Sequence, residues 1–318
     1  VDSAESESTF DMSRSGDSAP WPQRLNRAWL ACAIFMGLLS ALGVGVTAKA
    51  LIMGDWWAAA GALGACVLLG GLGWIGLGMG GIQAIGLSRR ITDCDDLHGQ
   101  GTRIPTRCAG ALTFAVALGG AGVYGIVASG SYFLGSASSL LPEGRGTDGN
   151  ATLLGILGLV ALLAALCVIV FRPRGEVRIY SSGVSRVERR PFSLRAGTVD
   201  TYRDWGDIET VIADEMVIHS GGVDVRHPMI KLRTVDPIEP KARTKFDSDR
   251  ELTILAKMYV AEPNMLFELL HRMSETPAAR SIVGTPAARE ALRPPRLRAR
   301  LGIDRSESAG NRTNRLVP

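Results

Sequence analysis

Between Leu153 and Phe171 the chain is almost entirely Leu, Val, Ala, Ile and Gly, with no charge. It then meets Arg172-Pro173-Arg174 and changes to Glu176-Val177-Arg178-Ile179-Tyr180, in which polar and apolar side chains alternate. At about 1.5 Å of rise per residue the first run is long enough to cross a bilayer as a helix. The second has the period of two that belongs to a strand with one face buried. The junction therefore separates two solvents, with lipid before it and water after it.

Three more apolar runs precede this one. With it, the expected spans are about 28–50, 56–87, 108–134 and 153–171. Trp21, Arg24, Arg27 and Trp29 stand ahead of the first as interfacial anchors, and Lys49 can snorkel from its far end. The second is longer than the ~20 residues a bilayer needs, so it must tilt, kink at a glycine or leave the hydrocarbon. Residues 1–27, rich in Ser, Asp and Glu at the outset, are expected to be disordered. No basic n-region with a small-residue cleavage site marks them as a signal peptide.

Arginine decides the orientation. Arg14, Arg24 and Arg27 precede the first span; Arg89, Arg90, Arg103 and Arg107 lie between the second and third; Arg172, Arg174 and Arg178 follow the fourth. The two intervening loops hold only Lys49 and Arg145, the latter beside Glu143 and Asp148. The positive-inside rule then puts both termini in the cytoplasm of a multi-pass protein of the inner (plasma) membrane. The net charge of +4 is accounted for by topology and lipid headgroups, and no basic stretch is interleaved with aromatics as nucleic-acid binding requires.

Sequence motifs point away from chemistry. Gly71-Leu-Gly73-Trp-Ile-Gly76 and Gly76-Leu-Gly78-Met-Gly80-Gly81 match a dinucleotide fingerprint in letters only, since they lie inside a membrane-length apolar run where small residues serve helix packing. The five cysteines, Cys32, Cys66, Cys94, Cys108 and Cys167, contain no CxxC pair and form neither a disulfide framework nor a zinc signature. Asp93, Asp95, Asp96 and His98 share the loop 88–107 and read as a solvated acidic turn. No catalytic, cofactor or metal residue is assigned. His219, His227 and His271 are scattered.

After Glu176 the chain reads as short strands: a hairpin around Ser181-Ser182-Gly183, a strand region from Thr198 to Ala213, further runs to Val235, and a last strand from Leu252 to Val260. The residues from Asp236 to Arg250 read as a loop. Pro263 opens a helix whose apolar face is Met265, Leu266, Leu269, Leu270 and Met273. The run Trp205-Gly206-Asp207-Ile208-Glu209-Thr210-Val211 resembles the W-x-D-I-x-x-V strand of bacterial PH-like domains. The corner from Tyr259 to Leu270, with Glu262-Pro263 at its centre, is similar to that of membrane-linked PH-like proteins of actinobacteria. The resemblance covers about 176–280 and implies a PH-like β-sandwich or barrel closed by a C-terminal helix. Lys231 and Arg233 are the nearest approach to a phosphoinositide pocket.

The expected architecture is thus a disordered segment 1–27, a four-helix membrane domain 28–171, a PH-like domain 172–284 and an Arg-rich tail 285–318 with one short helix. The expected function is binding or scaffolding: the helices anchor the domain, which meets a cytoplasmic protein or lipid partner. The alternatives are transport or envelope-lipid work by the helices, and a membrane enzyme using the 93–98 loop. Arg293, Arg296, Arg298 and Arg300 are the expected contacts with anionic lipid headgroups.

Overall fold

The computed structural model describes residues 19–21, 25–82, 86–135, 140, 146–172, 174–190, 197–220, 223–297 and 300. Four helices are long and apolar enough to cross a membrane: α1 (Arg27–Ile52), α2 (Trp56–Met79), α3 (Ala109–Phe133) and α4 (Asp148–Phe171). Polar caps start three of them. The side chains of Asn26, Asp55 and Thr147 accept from backbone N–H groups of the first turns of α1, α2 and α4. The second apolar run ends as a helix at Met79, short of the expected 87, because Gly80 caps it and Gly81 turns the chain at φ +93°.

The helices pack in sequence, α1 on α2, α2 on α3, and α3 on α4, and among the described residues α1 and α4 share no extended contact. Glycine allows the close approach. A Cβ at Gly64 would lie 2.9 Å from the Gly120 carbonyl, and one at Gly125 would lie 2.8 Å from that of Leu154. Gly71 faces Ala117, while Gly73 and Gly76 face α1 around Ala33. Gly71, Gly73 and Gly76 of the fingerprint-like run are therefore packing residues, whereas Gly78 meets no neighbour. The outer helices α1 and α4 leave most of their apolar surface outward, as lipid contact requires.

Two antiparallel sheets follow, and the first begins before its turn in the chain. Its order is β1 (Thr92–Asp96), β2 (Gly99–Pro105), β3 (Arg174–Tyr180), β4 (Gly183–Arg190) and β5 (Gly197–Asp204). The stretch expected to be a solvated acidic turn is a β-hairpin, and β2 pairs with β3 from Gly101–Tyr180 through Ile104–Val177 to Pro105–Glu176. β1 has almost no apolar residue, so its strand character comes from its partners rather than its own pattern. Gly101 is required there, because a Cβ would meet the Tyr180 ring at 2.6 Å.

The second sheet is β6 (Ile208–Ser220), β7 (Val223–Thr234) and β8 (Glu251–Leu255). The last strand stops at Leu255, short of the expected Val260, and a 3-10 turn continues through Met258. Helix α5 (Pro263–Glu275) is capped by the Glu262 carboxylate on the Met265 N–H, and α6 (Pro286–Ala291) is the short helix expected within 285–318. The core gathers Ile104, Val177, Ile179 and Val184 from the first sheet and Ile230, Leu232, Leu252 and Ile254 from the second. Leu266, Leu269, Leu270 and Met273 of α5 complete it. Trp205 is buried and donates Nε1–H to the Tyr180 carbonyl at 2.9 Å, in accord with a core role.

The N-terminal side joins the same body. Trp21, expected as an interfacial anchor, is only 4% exposed. Its N–H donates to Asn264 Oδ1 at 3.1 Å, Asn264 Nδ2 donates back to its carbonyl, and its indole N–H reaches the Asp214 carbonyl at 3.2 Å. A tryptophan with both backbone groups satisfied by one asparagine does better here than at a lipid interface. Residues 1–18 and 22–24 of the expected disordered segment lie outside the described residues. The segment before α1, the α2–α3 connection and the chain after α4 consequently all lie at the same end of the helices.

Removing the hairpin exposes the edge of β3 and takes Ile91 and Ile104, both buried in the core, out of it. Each such side chain is worth about 1.5–3 kcal/mol. A fragment of residues 174–292 should therefore unfold at lower urea concentration than the same fragment with residues 88–107 tethered ahead of it by a flexible linker. Equal midpoints would show that the hairpin is dispensable.

Candidate functional site

The register of the first sheet concentrates arginine on its outer face at the end nearest the helices. On β3 the even-numbered residues Arg174, Glu176 and Arg178 point away from the core that Val177 and Ile179 enter. Pairing sets Arg103 of β2 opposite Arg178, Pro105 opposite Glu176, Val187 of β4 opposite Glu176, and Arg189 opposite Arg174. Arg90 arrives from the residues after α2, Arg172 caps the end of α4, and Cys108 starts α3. Together they line a cleft of about 490 Å³ in which six arginines face one glutamate.

That glutamate is already engaged. Glu176 accepts from Arg103 through one oxygen and from Arg178 Nε, at 2.6 Å, through the other. Arg178 Nη1 continues to Asp96 Oδ2 at 3.0 Å, and Tyr180 donates its hydroxyl to the same oxygen at 2.6 Å. Burial would raise the Asp96 carboxyl. The Tyr180 hydroxyl, the His98 N–H and the Arg178 guanidinium outweigh it and hold the pKa below the usual carboxylate value. Burial and the Asp96 carboxylate push the Tyr180 phenol well above its ordinary range. The cross-strand pair Arg103–Arg178 is thus bridged by Glu176. The pair Arg174–Arg189 has no carboxylate partner among the described residues. Like charges directly opposite on a sheet repel.

A smaller recess of about 240 Å³ adjoins the cleft and shares Thr106, Arg174, Gly175 and Arg189 with it. The rest of its lining mixes the apolar Phe246, Leu255, Met258 and Tyr259 with Glu188, Lys245 and two threonines. Neither hollow was legible as a site in the sequence. The arginines look like positive-inside charge until the β2–β3 register brings three separate segments together.

The residues singled out from sequence fall elsewhere. Asp93 pairs with Arg289 at 3.5 Å, and His98 stacks on Tyr202 with ring centres 3.9 Å apart. Among the described residues no three His, Cys, Asp or Glu side chains converge as a metal site would need. Lys231 pairs with Asp214 at 2.7 Å, and Arg233 approaches Glu251. In the tail, Arg293 pairs with Glu290, Arg296 is exposed, and Arg298 lies outside the described residues. Arg300 is half-buried and donates Nη2–H to the Gly81 carbonyl, just beyond the end of α2 where a cation suits the helix dipole.

One buried ion pair braces the domain behind the cleft. Arg186 of β4 donates twice to Asp247, at 2.7 Å each, and once to the Thr253 carbonyl of β8. Asp247 also accepts from the Thr244 and Thr253 N–H groups. Burial raises the Asp247 carboxyl, but Arg186 and those two N–H groups overcome it, so its pKa lies below the ordinary 3.8. A lowered carboxyl pKa adds stability above 3.8 that is lost as pH falls through the folded value. Asp247→Ala should destabilise the protein by about 3–5 kcal/mol at neutral pH, because it strands a buried guanidinium. In thermal unfolding followed by tryptophan fluorescence, the gap to wild type should narrow as pH drops below 3.8. A gap independent of pH would mean that the charge of Asp247 does not contribute.

Comparison of the chain with protein-family models, curated proteins and solved structures finds no match.

Proposed function

We propose that the chain is a membrane-anchored binding or scaffolding protein of the inner (plasma) membrane, with a PH-like domain on the cytoplasmic side that meets a protein or lipid partner. The observation that carries this reading is the β2–β3 pairing, which builds the α2–α3 connection into the domain's own sheet. A domain attached by one linker would sweep freely, whereas this one is held at the helix ends by the hairpin, by the start of β3 and by Trp21. Such a mount suits a surface that must keep one orientation toward the bilayer and its partner.

The PH-like reading is supported by the strand meander, the three-stranded second sheet and the closing helix α5, and the likeness to actinobacterial membrane-linked proteins rests on the residues of the Tyr259–Leu270 corner alone. The departure from a free-standing module is that the first strands come from between two helices. The cytoplasmic placement is supported by the arginines of the α2–α3 connection and of β3, all at one end of the helices.

Two measurements bear on this reading. Reporter fusions after Thr92 and after Ser185 should both signal cytoplasm, and one at Gly146 should signal the exterior; a cytoplasmic signal at Gly146 would remove the four-span topology. Purified protein in sealed vesicles should leave the release of small entrapped solutes at the empty-vesicle rate. Protein-dependent flux would replace binding with transport.

A further inference from the structure

The arginine-lined cleft has a charge imbalance that its own residues do not relieve. Arg174 and Arg189 stand directly opposite each other on β3 and β4, where like charges repel, and no carboxylate pairs with either among the described residues. Arg172 joins them from the helix end, with its Nε buried and without a hydrogen-bond partner. Glu176, the only acid among the described residues of the cleft wall, is spent on Arg103 and Arg178. Three guanidinium groups therefore bound one space, none of them paired with a carboxylate among the described residues, an arrangement that suits the forked recognition of a phosphate.

The place of the cleft selects among anions. Arg172 directly follows α4, and Cys108 starts α3 with no side-chain cap on its first N–H groups, so the positive end of that dipole also faces the region. These helix ends mark headgroup depth if α3 and α4 cross the bilayer. Immediately beyond them the surface is apolar and outward: Leu112 on α3, Ile169, Val170 and Phe171 on α4. A ligand with an anionic head and hydrocarbon chains meets both surfaces at once. A free phosphate meets only the first.

We propose that the cleft binds the headgroup phosphate of an anionic phospholipid, gripped between Arg174 and Arg189 with Arg172 closing the membrane side, while the acyl chains lie along the outer surface of α3 and α4. The proposal rests on the reading that the helices anchor the domain at a bilayer. It differs from lipid contact by the Arg-rich tail in residues and in geometry. The tail would act by diffuse attraction, whereas the cleft acts by shape. With several arginines unneutralised, a phosphomonoester such as phosphatidic acid is favoured over a headgroup with one negative charge.

The test uses the full chain in phosphatidylcholine nanodiscs, with short-chain phosphatidic acid as the probe and native mass spectrometry to count bound lipid. Wild type should hold phosphatidic acid in preference to phosphatidylcholine. Arg174→Gln and Arg189→Gln should each weaken that binding by about tenfold, the scale of one hydrogen bond to a charged group. Arg189→Lys, which keeps the charge and loses the fork, should fall between. Arg250→Gln, an exposed charge elsewhere on the domain, should bind as wild type does. Equal loss in Arg250→Gln would reduce the effect to diffuse surface charge and overturn the site. Competition by inorganic phosphate as strong as that by the lipid would overturn the lipid assignment in favour of a free anion. No preference in a correctly folded wild type would also overturn the site, yet would leave the anchoring reading intact. That reading fails separately, through solute flux in vesicles.

Discussion

Everything in this molecule hangs on the backbone pairing of β2 with β3. The hydrogen bonds from Gly101–Tyr180 to Pro105–Glu176 join a connection between two apolar helices to the first strand after the fourth. Without them the chain would be a helical membrane part with a domain trailing from it. With them, Ile104 enters the core opposite Val177, the five-stranded sheet has its order, and the arginines of separate segments share one face. A one-residue slip would send Ile104 outward and Arg103 inward, so the register is held by burial as well as by hydrogen bonds.

The two sheets are held in place by a different kind of contact. Arg186 belongs to the first sheet and Thr253 to the second, and Asp247 on the intervening loop ties both. Apolar packing alone tolerates sliding between sheets. A bidentate pair with its remaining lone pairs satisfied permits only one arrangement. The same pair explains why a Pro- and charge-rich loop from Asp236 to Arg250 can lie against the core: its one buried carboxylate meets a guanidinium already waiting on β4.

What the sequence disclosed follows from which forces are local. The four apolar runs, the hairpin at Ser181-Ser182-Gly183 and the Glu262-Pro263 start of α5 all rest on patterns within a few residues. β1 and β2 do not. Thr92-Asp93-Cys94-Asp95-Asp96 carries no alternation to read, and becomes a strand only because β2 and β3 supply the ladder. Trp21 misled for a related reason. Its neighbours suggest an interface anchor, and the partner that overrides them, Asn264, is far along the chain. The cleft was hidden behind a simpler use of the same residues, since positive-inside charge and an anion site are both written in arginine.

The sheet order also dictates a sequence of events during synthesis. β1 and β2 leave the ribosome before α3 and α4, and their partner β3 follows both helices. At roughly 5–20 residues per second the hairpin waits for several seconds with an unpaired edge. It has no partner until a further pair of membrane-length helices has been made. The waiting edge is that of β2; Asp93, Asp95 and Asp96 charge the other edge, β1, which ends the finished sheet, and a charged edge resists pairing with the wrong chain. Completion of the last of the four helices then becomes the step that licenses the first sheet to close, so a chain halted within α4 is halted in its sheets as well.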